Sequence, residues 1–239
     1  MAPSTSLQRA SPRNLLTSLV LVFPIFIVYQ VGVLFTLPML NGADFLTTFL
    51  FRNLGLSVSG YLLFTAGATL VFALTVAVLR RTQRFDGRVV IPVLLESSFY
   101  ALTMGSLISV LMSHILHISP HLAAGIESQG GIGRLVMSLG AGVYEETVFR
   151  LLLLSSLAAV FEKAVGLGRW VAVPLAFAMS ALAFSAMHHI PPYGEPLRFG
   201  VFTFRFLAGL FFGVLFWFRG FAVAVYSHVC YDVYVLLIR

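Results

Sequence analysis

The stretch that decides the fold runs from Leu15 to Leu40 and reads LLTSLVLVFPIFIVYQVGVLFTLPML. It contains no charged residue, and it is longer than the roughly 20 apolar residues that a helix needs to cross a bilayer. Its apolar residues follow one another without the in–out alternation of a barrel strand. Because backbone polar groups in hydrocarbon must be bonded within the chain, this stretch predicts a membrane-spanning helix. We interpret it as a retained helix, since it is too long for the apolar region of a cleaved signal peptide.

Six further apolar runs follow it, at roughly 56–79, 92–117, 132–160, 170–190, 200–218 and 220–238. The 239-residue chain is 59% hydrophobic and only 10% charged, whereas soluble domains carry about 25% charged residues. A soluble fold of this composition would lack a polar surface. The predicted fold is therefore all-α, a polytopic transmembrane helical bundle of about seven spans. We divide it into N-terminal transmembrane helices, 1–131, and a C-terminal core, 132–239.

The basic residues predict the orientation of the bundle. The net charge is +6, but these residues lie between apolar runs, where they set topology and meet anionic lipid rather than nucleic acid. With seven spans, one side holds most of them: Arg9, Arg13, Arg80, Arg81, Arg84, Arg88, Lys163, Arg169 and Arg219. The other side holds Arg52, Arg134, Arg198 and Arg239. The positive-inside rule then predicts a cytoplasmic N-terminus and a C-terminus on the opposite side.

Ionisable side chains inside the apolar runs are costly to bury and mark function by default. Residues 140–154 of the fourth run read GAGVYEETVFRLLLL. Glu146 and Arg150 are four residues apart, so a helix places them on one face and predicts a buried ion pair. Glu145 is turned about 100° from Glu146 in an α-helix and can face a different neighbour. A purely structural ion pair is the alternative interpretation, and it leaves Glu145 without a partner.

The fifth and seventh runs carry further polar residues at helical spacing. His188 follows Phe184 by one turn, and His228 and Asp232 lie at positions i and i+4 of one face. His228 and Asp232 can therefore orient one another. For each of these residues, a hydrogen bond between packed helices is the structural alternative.

Other features of the runs are less informative. Gly209 and Gly213 predict a face that another helix can approach closely, with Arg205 one turn before them. His114, His117 and His121 share a face at the end of the third run and could hold a metal, although an interfacial polar cap explains them equally. The chain has no H-E-x-x-H sequence, which is the commonest zinc-protease motif.

Three elements occur in order on separate runs: Glu145-Glu146-x-x-x-Arg150, Phe184-x-x-x-His188 and His228-x-x-x-Asp232. This pattern resembles the CAAX-protease and bacteriocin-processing family, the type II CAAX prenyl endopeptidases and their bacterial relatives, also called glutamic intramembrane proteases. Members carry E-E-x-x-x-R, F-x-x-x-H and H-x-x-x-N or D. The resemblance covers about 132–239, and the first three runs match only in being hydrophobic.

The resemblance implies an intramembrane glutamic endopeptidase that needs no cofactor or metal. The implied catalytic residues are Glu145, His188, His228 and Asp232, with Glu146 and Arg150 in support. Glu145 and His188 would activate a water, while His228 and Asp232 would stabilise the oxyanion. Asp232 departs from the asparagine of many members, and an ionised carboxylate cannot donate a hydrogen bond. It would have to stay protonated or else orient His228.

The expected partners are the lipid bilayer and a membrane-associated peptide or protein substrate, and the expected location is a bacterial inner membrane. Because bacteria generally lack prenylation, bacteriocin leaders or C-terminal sorting tags are expected substrates, cleaved on the non-cytoplasmic side. A zinc-dependent membrane hydrolase with Glu145, His188 and His228 as ligands is one alternative. A non-enzymatic immunity or scaffold member of the superfamily is another. A transporter is a third, although transporters usually show paired repeats and this chain shows none.

Overall fold

The computed structural model describes residues 14–36, 57–119, 130–190 and 196–238. These residues form seven helices and no β-strand, which confirms the predicted all-α bundle. The first two helices are α1, Leu15–Thr36, and α2, Val58–Leu79. The third, α3, spans Val90–Val110 and continues as a π-helical turn over Leu111–Ile115.

The remaining helices form the C-terminal part. Helix α4 covers 131–164 and alternates between α-helix, in Gly131–Gly140 and Ser155–Ala159, and π-helix, in Ala141–Leu154 and Val160–Ala164. It is followed by α5, Arg169–Met187, and α6, Phe199–Arg219. The last, α7, spans Phe221–Val233 with a final π-helical turn over Tyr234–Ile238.

Six of the seven helices in the described part of the chain are long and apolar enough to cross a membrane. The seventh is α4, which carries the charged residues Glu145, Glu146 and Arg150. It packs against α1, α5, α6 and α7. The chain is therefore an integral, multi-pass membrane protein, and α4 brings its charges into the middle of the bundle.

Helix α7 lies at the centre of this bundle and contacts α1, α3, α4 and α6. Its residues 222–225 are all completely buried. A helix that is apolar on every side belongs inside a bundle rather than at its surface. The position of α7 matters for the site because it carries His228 and Asp232.

Two glycines of α6 let α5 approach closely, as the spacing of Gly209 and Gly213 predicted. A Cβ atom on Gly209 would lie 3.1 Å from the Cα atom of Ala181 in α5, and one on Gly213 would lie 3.3 Å from the ring of Phe177. In membranes, where lipid is as apolar as the side chains, such close packing replaces the hydrophobic effect between helices. Helices α5 and α6 therefore form a tight antiparallel pair.

Polar contacts mark one end of the bundle. There, Asn14 Nδ2 donates to the Arg84 carbonyl at 3.2 Å, and Arg219 Nη2 donates to Glu96 Oε2 at 2.8 Å. We call this the basic end, because it holds the described basic residues that we assigned to the cytoplasmic side: Arg80, Arg81, Arg84, Arg88, Lys163, Arg169 and Arg219. Gly220 closes the α6–α7 turn there with φ of 103°, a backbone conformation that favours glycine.

Some sequence-based predictions fall outside the described residues. These are the extension of the first span to residue 40 and the positions of Arg9, Arg13, Arg52, His121 and Arg239. Pro24 lies inside α1, and the helix continues beyond it to Thr36.

A matched pair of glycine variants tests the α4–α7 contact. A Cβ atom on Gly142 would lie 2.3 Å from Val229 Cγ2 and 3.1 Å from the Val225 carbonyl oxygen, whereas one on Gly67 would meet nothing within 4 Å. Both alanines gain helix propensity, but only Gly142→Ala overpacks, at a cost of about 1–3 kcal/mol. We expect Gly142→Ala to lower the Tm in detergent micelles and Gly67→Ala to leave it unchanged or raise it. Equal Tm values for the two variants would contradict this packing.

Candidate active site

The two adjacent glutamates lie on the π-helical part of α4, Ala141–Leu154. The expectation of α-helical geometry there is wrong, and so is the 100° turn between the two side chains that it implied. A π-helix bonds i to i+5 and has a wider turn, so successive side chains diverge by a smaller angle. Such turns are frequent at functional sites. In this protein the wider turn directs both Glu145 and Glu146 toward α7.

Glu146 pairs with Arg150 inside the bundle, as their spacing predicted. Arg150 Nη1 lies 3.1 Å from Glu146 Oε1, and the two side chains are 1% and 0% exposed. Arg150 also donates from Nη2 to the Gly209 carbonyl of α6 at 3.3 Å. Burying either charge alone would be strongly destabilising, so the pair and its hydrogen bonds hold one another in place.

Phe184 of α5 forms a wall between Arg150 and His188. The guanidinium carbon of Arg150 lies 4.2 Å from the centre of the Phe184 ring, a cation–π distance. On its other side, the Phe184 ring lies 4.9 Å from the imidazole of His188, in an edge-to-face arrangement. The predicted shared face of Phe184 and His188 is therefore present, and it positions both the ion pair and the histidine.

His228 contacts Glu146, a contact that the sequence did not predict. Its Nδ1 lies 2.7 Å from Glu146 Oε1. A carboxylate accepts only, so Nδ1 carries the proton and donates. The ring stacks on Phe212 of α6, with centroids 4.5 Å apart and planes 14° from parallel. These two contacts turn Nε2 of His228 toward Glu145 and Asp232.

His188 caps the C-terminal end of α5 and faces Glu145. Its Nδ1 lies 2.8 Å from the Phe184 carbonyl oxygen, which can only accept, so Nδ1 donates here as well. Nε2 of His188 then faces Glu145 Oε1 at 3.6 Å. In the neutral imidazole this nitrogen holds the lone pair.

The Glu145 carboxylate therefore has an imidazole on each of its two oxygens. Oε1 faces His188 at 3.6 Å, and Oε2 faces His228 Nε2 at 3.7 Å. Both distances exceed a direct hydrogen bond and suit groups that share a bridging water. Within the described residues, Oε2 is buried without a hydrogen-bond partner.

Asp232 completes the cluster at its more exposed side. Its Oδ2 lies 3.7 Å from His228 Nε2, as expected from their i, i+4 spacing. The side chains of Asp232 and His188 are 22% and 20% exposed, whereas that of Glu145 is 5% exposed. The site thus opens between Asp232 and His188 and closes at Glu146.

An N-terminal helix also reaches the site. Gln30 of α1 donates from Nε2 to the hydroxyl of Tyr144 at 2.8 Å, and the Tyr61 hydroxyl of α2 donates to Gln30 Oε1. Tyr144 directly precedes Glu145, so this chain of hydrogen bonds ties the rotation of α4 to α1 and α2. The sequence pattern contained no signal for it.

Other ionisable side chains of the helices lie elsewhere. Glu96 pairs with Arg219 and accepts from the Tyr100 hydroxyl at 2.9 Å, at the basic end. His114 and His117 are exposed at the end of α3. Among the described residues, no group of three or more His, Cys, Asp or Glu side chains has an arrangement that could hold a metal ion. The zinc alternative therefore gains no ligand set from this geometry.

Comparison with known proteins addresses the motifs directly. The family model described as type II CAAX prenyl endopeptidase Rce1-like matches residues 128–234, which contain all three motifs. No curated protein and no solved structure matches the chain. This match confirms, for residues 128–234, the predicted resemblance to the CAAX-protease and bacteriocin-processing family; the matched part runs from just before α4 to near the end of α7.

Proposed function

We propose that this protein is an intramembrane glutamic endopeptidase that hydrolyses a peptide bond of a membrane-associated peptide or protein. The observation that supports this most directly is the Glu145 carboxylate between two imidazoles, at 3.6 and 3.7 Å. A carboxylate and an imidazole that face one another across a buried space provide a general base and a second proton-handling group for one water.

In the proposed reaction, Glu145 removes a proton from a water held between its Oε1 and His188 Nε2. The resulting hydroxide attacks the carbonyl carbon of the scissile bond and forms a tetrahedral intermediate. When the C–N bond breaks, the leaving amine takes up the proton from Glu145. General acid–base catalysis of this kind contributes about 10²–10⁴-fold to a rate.

His228 is assigned to the oxyanion of the intermediate. As an imidazolium it donates Nδ1–H to Glu146 and has Nε2–H left for the oxyanion. Glu146 and Arg150 then act through His228, because they hold its ring and leave Nε2 facing the reacting carbonyl. A donor fixed in advance in a site without bulk water stabilises a developing charge far better than it would in water.

The substrate is proposed to enter from the side of Asp232 and His188. That side lies toward the end of the bundle opposite the basic end, because α5 starts at Arg169 at the basic end and His188 follows its last residue. At the same end, Ser185 Oγ donates to the Phe202 carbonyl at 2.8 Å and joins the end of α5 to the start of α6. With the basic end in the cytoplasm, cleavage would take place near the non-cytoplasmic surface. Membrane-anchored peptides such as sorting tags of a bacterial inner membrane fit this access.

Cleavage by purified variants tests the assignment. We expect Glu145→Gln and His188→Ala to lower the rate about 10²–10⁴-fold, because each loses one of the groups that handle the proton. The measurement is mass spectrometry of a membrane-anchored peptide library incubated with the protein in liposomes. Glu96→Gln is the matched control, since it also removes a carboxylate from an apolar helix but lies at the basic end. Wild-type rates for both site variants would refute the assignment, and so would equal losses in all three variants. An absence of cleavage by the wild type would favour a scaffold member instead.

The neighbouring glutamates should differ in their effect on folding. Glu146→Gln leaves the Arg150 guanidinium buried without its carboxylate, which costs about 3–5 kcal/mol. Glu145 forms no ion pair with a guanidinium among the described residues and faces its two imidazoles at 3.6 and 3.7 Å, so we expect Glu145→Gln to lower the free energy of unfolding by less. Denaturant unfolding of both variants in micelles measures this. A larger loss for Glu145→Gln would mean that the two glutamates have exchanged roles.

The orientation is tested by fusions. Alkaline phosphatase is active only outside the cytoplasm, so we expect activity from a fusion after Ile238 and none from a fusion within 80–88. The physical reason is the excess of Arg and Lys at the basic end. Activity from the 80–88 fusion alone would place the site opening on the cytoplasmic side.

A further inference from the structure

Asp232 is the member of the site whose chemistry fits an oxyanion site least well. An ionised carboxylate has only acceptors, whereas an oxyanion needs donors. Asp232 lies one turn from His228 on α7, with its Oδ2 3.7 Å from His228 Nε2. A second donor at this level of the bundle would have to come from a neighbouring helix.

Arg205 of α6 is directed toward this level. It lies seven residues before Phe212, and residues seven apart on an α-helix point within about 20° of the same direction. Phe212 stacks on the His228 ring. The face of α6 that carries Arg205 is therefore the face that is turned toward His228.

The position of Arg205 along the bundle also matches that of Asp232. Helices α6 and α7 run antiparallel from the Gly220 turn, so both Arg205 and Asp232 lie away from the basic end relative to Phe212 and His228. At 1.5 Å per residue these offsets are about 10 Å and about 6 Å. The difference of about 4 Å is within the reach of an arginine side chain.

The burial of Arg205 agrees with this placement. The residue is half-buried, and its Nε atom is buried. The other guanidinium of the site, that of Arg150, contacts Glu146 and the Gly209 carbonyl and is not turned toward Asp232.

We propose that Arg205 is a further catalytic residue, which donates an N–H to the oxyanion of the tetrahedral intermediate while ionised Asp232 orients its guanidinium. This inference rests on the proposed endopeptidase function. A guanidinium has five donors in a planar fork, so it can bind a carboxylate and an oxyanion together. His228 and Arg205 then supply the two donors, and Asp232 has the role of an acceptor.

A double-mutant cycle on cleavage tests the donation. We expect Arg205→Gln to lower kcat about 10²–10³-fold with little change in KM, which is the usual effect of losing one oxyanion donor. The amide of Asp232→Asn can donate directly, so adding that change to Arg205→Gln should restore kcat at least tenfold. Arg198→Gln, which removes an exposed arginine at the start of the same helix, is the control and should keep wild-type rates. If Arg205→Gln lowered kcat by the same factor in the wild-type protein and in Asp232→Asn, the proposal would be overturned. An effect of Arg205→Gln on KM alone would also overturn it.

A second cycle measures the pair without any substrate. The Tm values of Arg205→Gln, Asp232→Asn and the double variant should show a less than additive loss, because two residues that interact lose the same interaction whichever one is changed. Additive losses would overturn the pairing. If the wild-type protein cleaves no peptide, the proposed function fails, while this cycle still decides whether Arg205 and Asp232 act together.

Discussion

Glu146 and Arg150 would each cost several kcal/mol to bury alone in a bundle of apolar helices. Together they are almost completely buried, 3.1 Å apart. The pair also extends beyond α4, since Arg150 contacts Gly209 of α6 and the ring of Phe184 in α5, and Glu146 contacts His228 of α7. The same interaction thus joins four helices and fixes which nitrogen of His228 faces Glu145.

The neighbouring Glu145 is buried as well, but among the described residues it forms no ion pair with a guanidinium. Its two oxygens face imidazoles at 3.6 and 3.7 Å, which is too long for direct hydrogen bonds. A π-helical turn allows two consecutive side chains to reach the same neighbouring helix, where an α-helix would separate them further. The division of work between two identical residues therefore follows from the backbone of α4 and from their neighbours, not from their own chemistry.

The sequence predicted the seven helices of the described residues and three relations between residues four apart, because apolar runs and i, i+4 spacing are local properties. The Glu146–Arg150 pair and the Phe184–His188 and His228–Asp232 faces belong to this class. The Glu146–His228 contact, the Phe212 stack and the Gln30–Tyr144 hydrogen bond do not. They depend on how each helix is rotated about its axis, which close packing at glycines such as Gly142 decides. The π-helix was missed because no residue pattern distinguishes it from an α-helix of the same composition.

The proposed function depends most on Glu145 acting as the base in peptide cleavage. The most direct measurement compares the membrane-associated peptides of host cells that express the wild-type protein or Glu145→Gln, by mass spectrometry of their termini. If Glu145 is the base, uncleaved substrates accumulate with Glu145→Gln, and purified wild-type protein cuts those same peptides to give the termini that the Glu145→Gln cells lack. Identical termini in the two strains, with the protein present in the membrane of both, would contradict it.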